Sequence, residues 1–434
     1  MQWALALVAG VSASGALPEL LQVDWRRIDD PPAQGPYQQG FQDSDGGWVD
    51  DNTVLTAFGY SAGGVPGFLN TAYLFNATNA SAGWVSLPRA PVSGRQEVGS
   101  TVIGDCVYFV GGFSYSAPYA YTDALRLCRT AHGNGTWAWS ALPPLPYPLC
   151  SHGVASIGTK LYVHGGADYD AQAFYTFADR HGENAGLGKR LFVLDTADLA
   201  AGWARLPDTP GSPRYVHALS PAGRALYVLG GAVPNGSSVV DNWRYDTEGR
   251  TWTRLADLPV SSGNFQTNGA SSYLDRYVLL VGGYQYGSVY RFPGDPRSPA
   301  PNASSTPPFG QARRMCPTGV AAAGCRSGCA ASATIVDKHY MGSTWATEYE
   351  NDIFVYDTER DVFGTVRAVS SAEPGLMPPR CGGLPINDNL PQTNVRGDQV
   401  FVIGGEANDR QFAGRNYTHY PRLAVVGKLS VVVQ

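Results

Sequence analysis

The sequence predicts an all-β fold assembled from copies of one four-stranded sheet, on three observations. An apolar strand ending in Gly-Gly recurs along the chain. A tryptophan-bearing strand, most often closing on Leu-Pro, follows in phase. Between Pro213 and Pro259 the two marks frame four strand signals in a row. There Tyr215–Ser220 leads to a turn at Pro221–Arg224, and Ala225–Leu229 ends at Gly230-Gly231. Val240–Tyr245 follows a loop, and Trp252–Leu255 closes on Leu258-Pro259. β-Branched and aromatic runs bounded by Gly, Asp and Pro are strand signals, and connections this short make antiparallel hairpins. A sheet of about 47 residues cannot bury both its faces alone, so it needs copies of itself to pack on.

In chain order, residues 1–16 carry an apolar core, Ala4–Val11, and then small residues to Ala16. That is the pattern of a secretory signal peptide, here without Lys or Arg in its n-region. A degenerate copy of the Gly-Gly strand, VLTAFGY, ends at Gly59. Full copies end at Gly111-Gly112, Gly165-Gly166, Gly230-Gly231, Gly282-Gly283 and Gly404-Gly405. Third strands read TAYLFN, DALRLC, RLFVLD, DNWRYD and NDIFVYD. Fourth strands carry Trp84, Trp137, Trp203 and Trp252, with Phe363 in that place in DVFGTV. Gly-Gly lets the second strand end tightly against its neighbour, where a Cβ would clash. The fourth-strand aromatic fills the wedge between adjacent sheets.

This pattern resembles the kelch repeat and covers nearly the whole chain. The resemblance implies a β-propeller, here a six-bladed kelch β-propeller over residues 21–434, closed by an N-terminal strand. After Gly404-Gly405 one strand pair remains, Leu423–Val426 and Leu429–Val433, with no tryptophan strand behind it. VDWRRIDDPP, around Trp25, has the missing strand's character and is expected to join the last blade. Two insertions break the rhythm, at 168–188 and at 291–347 in the fifth blade. The run Ala333–Asp357 supports an alternative, a seventh degenerate repeat with Gly342-Ser343 replacing Gly-Gly.

Hydrophobic residues make up 44% of the 434 and charged ones 15%, a globular rather than a disordered composition. A net charge of −5 offers no basic footprint for nucleic acid. No stretch beyond the N-terminus reaches the roughly 18–20 apolar residues a membrane helix needs. Sequons at Asn76, Asn79, Asn134, Asn235, Asn302 and Asn416 fall mostly in expected loops. The expectation is a secreted, extracellular, monomeric glycoprotein.

Seven cysteines leave one odd. Cys106 opens the VYFVGG strand and Cys128 closes the antiparallel ALRLC strand, so the two are expected to face each other as a disulfide. Cys316 is expected to pair with Cys325 or Cys329, pinning the insertion, while Cys150 and Cys381 stay unassigned. No second Cys or His pair completes a zinc site, and neither a metal nor a cofactor is expected.

In a propeller the first strand of each blade lines the axial channel. Alignment on Gly-Gly sets Arg214 level with Arg95, Gln42, Leu149, Gln266 and Asp388, and sets His217 level with His152, Val98 and Gly269. One rim is thereby expected to present Arg95, Glu97, His152, Arg214, His217, Gln266, Asn268, Asp388 and Asn389. That set suits a hydroxyl- or carboxylate-rich ligand such as a sugar acid. The alternative is that these residues cap inner strands and satisfy channel backbone groups or water. Glu406, after the last Gly-Gly, is a further candidate, with a solvated loop acid as its plainer role. Phe113, Tyr115, Tyr169, Tyr284 and Tyr286 follow other Gly-Gly pairs, placed to stack on sugars, bind a protein or pack the loops.

Two functions follow. A kelch propeller implies a recognition module whose loop face and channel mouth bind an extracellular protein or a glycan. The chain also resembles bacterial sialic-acid mutarotases in its signal peptide, six-bladed ring, Ile403–Glu406 motif and closing strand. That family's working pair is a glutamate directly after a central Gly-Gly and an arginine six residues later. Here Ala232 and Ser238 hold those positions, which removes the general acid/base from them. Glu406 with Arg410 echoes the pair in another blade and at another spacing, so the expectation leans away from catalysis.

Overall fold

The computed structural model describes residues 17–32, 40, 43–61, 67–79, 83–130, 135–170, 174–176, 186–233, 238–258, 271–281, 284–285, 289–290, 348–349, 353–371, 392–403, 407–409, 417–419 and 424–432. Four antiparallel sheets of four strands follow one another, each ordered as the chain runs. The first holds Asp45–Trp48, Thr53–Ala57, Ala72–Asn76 and Trp84–Ser86, and the second Gly99–Ile103, Cys106–Val110, Ala124–Arg129 and Trp137–Ala141. The third holds Gly153–Ile157, Lys160–His164, Leu191–Asp195 and Ala204–Leu206, and the fourth Ala218–Ala222, Ala225–Leu229, Trp243–Asp246 and Thr251–Arg254.

An eight-stranded sheet completes the set. One half runs Ser271–Tyr273, Tyr277–Val281, Ile353–Asp357 and Val362–Ser371. The other runs Glu19–Arg27, Ala424–Val431, Gln399–Ile403 and Gln392–Arg396. The halves join where Glu19–Arg27 lies parallel to Val362–Ser371. The same N-terminal strand pairs antiparallel with Ala424–Val431, the pairing expected from the residues around Trp25. Its second, parallel pairing has no signature in the sequence. First strands contact one another in a closed circuit, from Asp45–Trp48 through Gly99–Ile103, Gly153–Ile157, Ala218–Ala222, Ser271–Tyr273 and Gln392–Arg396 back to Asp45–Trp48. This is a β-propeller arrangement.

The apolar core is divided into layers between neighbouring sheets. Ala155 and Leu191 of the third sheet pack with Leu219, Val228 and Tyr245 of the fourth. Trp48, Val54 and Phe75 of the first pack with Phe401, Ile403 and Val426. The outer tryptophans tie the layers together. Trp139 Nε1 donates to the Pro88 carbonyl at 2.8 Å, Trp203 to Pro143 at 2.8 Å and Trp252 to Pro207 at 2.9 Å. Each bond reaches the Leu-Pro end of the preceding sheet and is worth about 1 kcal/mol net. Trp84 of the first sheet reaches the Asp29 carbonyl at 3.0 Å, so the N-terminal strand occupies the place of a preceding sheet's outer strand. In the second sheet Trp139 makes this bond, not Trp137, which is buried with the Arg129 guanidinium 5.4 Å from its ring.

Three local readings change. The fourth sheet's first strand begins at Ala218, not Tyr215, because Val216 adopts φ 45° and breaks the ladder. It runs on through Pro221, which an edge strand tolerates because its N–H is not needed for pairing. The C-terminal strand pair is one continuous strand, Ala424–Val431. Its Gly427 is no turn: a Cβ there would meet Val23 Cγ2 at 2.4 Å and the Trp25 ring at 2.8 Å.

Cys106 and Cys128 are opposed in register and form a disulfide with Cα atoms 4.1 Å apart. Cys150 is buried, its thiol directed at the Ala167 carbonyl at 3.4 Å. Residues 1–16, the 291–347 insertion with its Cys316, Cys325 and Cys329, and Cys381 lie outside the described residues. So do Asn134, Asn235, Asn302 and Asn416. Asn76 is partly buried and Asn79 exposed.

Candidate functional site

The first strands enclose an axial cavity of about 570 Å³, lined among others by Gly46, Ser100, Thr101, Ala155, Ser272 and Asn394. It extends to Gly104, Asp105 and Arg396, the end where each first strand turns into its second. Arg95, Glu97, His152, Arg214 and His217 precede their strands and so stand at the other end.

There the two arginines turn inward. Arg214 is fully buried. Its Nε donates to the Ser212 carbonyl at 3.2 Å and its Nη1 to the carbonyls of Gly230 at 2.9 Å and Asp241 at 2.7 Å. Its Nη2 donates to the Asp241 carboxylate at 2.8 Å. Arg95 repeats the motif, with Nε on Ser93 O at 3.2 Å and Nη1 on Gly111 O at 3.3 Å and on Asp123 at 2.9 Å. Each arginine thus holds the first carbonyl of its own Gly-Gly pair and the acid that opens its third strand. Burial raises the Asp241 carboxyl, but the Arg214 charge and bonds from Ser212 and Trp243 outweigh it and hold the group below its usual range. Instead of facing the channel mouth as a ligand rim, both guanidinium groups are committed to the fold. The third sheet lacks the motif: Leu149 replaces the arginine, and Arg190, in the acid's place, stacks over Tyr147 at 4.3 Å.

His152 and His217 are also buried, each in a niche made by glycines. A Cβ on Gly165 would lie 2.6 Å from His217 Cε1, and one on Gly111 would lie 2.8 Å from His152 Cε1. The Gly-Gly pairs therefore admit an imidazole from the next sheet, and with φ of 62° and 86° at Gly165 and Gly166 they also need glycine for the backbone. Nδ1 of His164 and Nε2 of His217 share a hydrogen bond at 2.9 Å across that interface. Burial depresses His152 to about 4 and His164 and His217 well below their ordinary value, with the Arg214 charge adding to the last two. These are neutral packing histidines.

Glu97 is buried and accepts from the Ser151 hydroxyl. Asp43, Glu97, Ser151 and Val216 hold the same place in four successive sheets, each with φ between 45° and 53°. The Ser151 N–H donates to Glu97 O at 3.3 Å and the Val216 N–H to Ser151 O at 2.9 Å, so left-handed residues hand a hydrogen bond from sheet to sheet. Such a conformation costs on the order of 1–2 kcal/mol in a non-glycine residue. Asp45, on the first inner strand, is buried with its carboxyl pushed up to about 8 by desolvation, against bonds from Ser100 and the Gly46 N–H. Gln266, Asn268, Asp388, Asn389 and Glu406 lie outside the described residues.

Beyond the Gly-Gly turns, loops of the first three sheets bring aromatic rings together. Phe113 and Tyr169 stack at 4.5 Å with 23° between planes. Tyr115 lies 5.0 Å from Phe68, 5.7 Å from Phe113 and 6.3 Å from Tyr169. Tyr60 lies 5.2 Å from Phe68. Tyr169 comes from the small hairpin Asp168–Asp170 with Phe174–Thr176, in the third sheet's insertion. Phe113 and Tyr169 are buried, whereas Tyr115 exposes 45% of its surface. Sequence reading placed Phe113, Tyr115 and Tyr169 in loops but had no means of joining them to Phe68 of another repeat.

Sheets ringed about an axis, with left-handed glycine pairs ending the second strands of the second, third and fourth sheets and an outer indole of each of the first four bonded to the element before, define a kelch-type β-propeller. The chain carries the kelch repeat itself: the family model described as Kelch motif matches residues 213–259. The chain is similar to the N-acetylneuraminate epimerase of Vibrio cholerae, 30% identical over 172 residues, 38% of each protein. It is 26% identical to the Kelch-like protein terF of Aspergillus terreus over 232 residues, 49% of this chain and 45% of that one. The matched stretch spans less than half the length of these curated relatives. The solved structure of YjhT superposes with a TM-score of 0.57 over 94% of this chain and 99% of that chain; at 14% identity the likeness is one of fold. Among the described residues no helix is long and apolar enough to cross a membrane.

Proposed function

We propose that the chain is a secreted, monomeric, six-bladed kelch propeller, the eight-stranded sheet counting as two blades, that recognises a glycan through its loop face. The observation that carries this reading is the aromatic cluster around Tyr115, built from the loops of three successive sheets and exposed at its centre. Tyrosine and phenylalanine offer large, rigid contact area at small entropic cost. Similarity to a protein named for N-acetylneuraminate supports a carbohydrate over a protein partner. The same relative favours a second reading, turnover of a sugar acid. Ala232 and Ser238 stand where the mutarotase pair would be, so that chemistry would fall to other residues, Glu406 and Arg410 among them. Saturation-transfer NMR of the glycosylated protein against neutral sugars, uronic acids and N-acetylneuraminic acid tests both. Signal from a sugar supports recognition, and anomer exchange accelerated in the same tube supports turnover. Silence across the panel would refute both readings and direct attention to a protein partner.

A further inference from the structure

We propose that the ligand at the Tyr115 cluster is a neutral pyranose, held by stacking, rather than a sugar acid; this rests on the glycan reading above. The platform is pre-shaped. Phe113 exchanges backbone hydrogen bonds with Gln96 at 3.0 and 3.1 Å, and Ser114 N donates to Tyr119 O at 2.9 Å. Tyr119 N donates to Ser116 O at 2.9 Å, and the hydroxyls of Ser114 and Tyr121 share a bond at 2.7 Å. Tyr115 therefore sits in a closed turn, with the rings of Phe68, Phe113 and Tyr169 packed against it. A site rigid before binding loses little freedom when a ligand orders it.

The electrostatics select among sugars. Tyr115, exposed above the half-buried Phe68 and the buried Phe113 and Tyr169, carries no charge and offers an aromatic surface that suits the C–H face of a pyranose. A carboxylate brought there would be desolvated and would need a cation. Arg95, under the same loops, cannot serve: it is 2% exposed, ion-paired with Asp123 and stacked over Tyr121 at 3.8 Å. The chemistry thus departs from the acidic sugar named for the relative from Vibrio cholerae.

The test measures affinity of the full chain for cellotriose, maltotriose, triacetylchitotriose, galacturonic acid and N-acetylneuraminic acid, in wild type, Tyr115→Ala and Tyr115→Phe. At least one neutral trisaccharide should bind. Tyr115→Ala should weaken it by about fivefold to tenfold, the scale of one aromatic contact, while Tyr115→Phe keeps it. Circular dichroism of both variants should match wild type, with Tyr115→Ala lowering the thermal midpoint by only a few degrees through its lost ring contacts. Neutral binding untouched by Tyr115→Ala would overturn the proposal and leave glycan recognition standing. Binding of the two acids alone would do the same. Binding of none of the five would overturn both.

Discussion

Replacing Arg214 by Met separates an architectural arginine from a ligand-binding one. The substitution keeps much of the side-chain volume but removes four hydrogen bonds, leaving the carbonyls of Ser212, Gly230 and Asp241 without that donor. Asp241, whose side chain is 4% exposed, would stay charged in the interior. Removing one partner of a buried ion pair costs about 3–5 kcal/mol. Asp241 keeps donors in the Ser212 N–H at 3.1 Å and Trp243 Nε1 at 2.7 Å, so we expect the lower end, about 3 kcal/mol. Arg95→Met is the internal control: its partner Asp123 is 43% exposed and can be solvated, so the loss should be about 1–2 kcal/mol. Urea unfolding followed by tryptophan fluorescence should report both as lower midpoints at unchanged slope. Arg214→Met with Asp241→Leu should recover part of the loss, because no charge remains buried. A wild-type midpoint for Arg214→Met, with sugar binding abolished, would refute the reasoning and return the arginine to the ligand.

Four further outcomes are expected. Folded-state His152 titrates near 4, below its unfolded 6.5, so its contribution is full above pH 6.5 and is lost as pH falls toward 4, about 3 kcal/mol; His152→Asn should flatten the acid limb of a plot of Tm against pH. Asp45 has the opposite sign. Its folded pKa of about 8 exceeds 3.8, so stability falls as pH rises between them, and Asp45→Asn should be several kcal/mol more stable than wild type at pH 8 but not at pH 3.5. Gly165→Ala should cost at least about 2 kcal/mol through its 2.6 Å approach to His217 and its positive φ, whereas Gly104→Asn, with nothing within 4 Å, should cost under about 1 kcal/mol in chemical unfolding. Deleting residues 17–27 bares the edges of Val362–Ser371 and Ala424–Val431, and light scattering should show self-association.

Much of the architecture was legible because it repeats. Gly-Gly, the outer tryptophan and the Leu-Pro ending each recur, and a recurring residue reports a recurring contact, here a glycine niche for a neighbour's side chain and an indole bond to the preceding sheet. The Cys106–Cys128 pair was legible from register alone. What escaped was local backbone geometry: nothing in Asp43, Glu97, Ser151 and Val216 as residue types announces a shared left-handed conformation. The parallel seam between the N-terminal strand and Val362–Ser371 escaped as well, since strand pairing between distant segments leaves no periodic trace.

The arginines show why alignment misplaces a site. Arg95 and Arg214 do hold equivalent positions, but equivalence says nothing of direction, and direction is set by a partner further on. That partner was in the sequence: Asp123 and Asp241 each precede a third strand in a sheet whose first strand follows an arginine, and the third sheet lacks both arginine and acid. A residue that recurs with its counter-charge serves the blade. Ligand contacts are better sought where the repeat is broken. At the bridge that follows each of the three described Gly-Gly pairs, Ala167 faces Cys150 and Ala232 faces Tyr215, but Phe113 faces Gln96. Alanine suffices to continue the bridge, so the bulk of Phe113 serves something else: it is the floor on which Tyr169 stacks and Tyr115 leans. The departure from the repeat, rather than the polar rim the repeat supplies, is what distinguishes this face of the propeller.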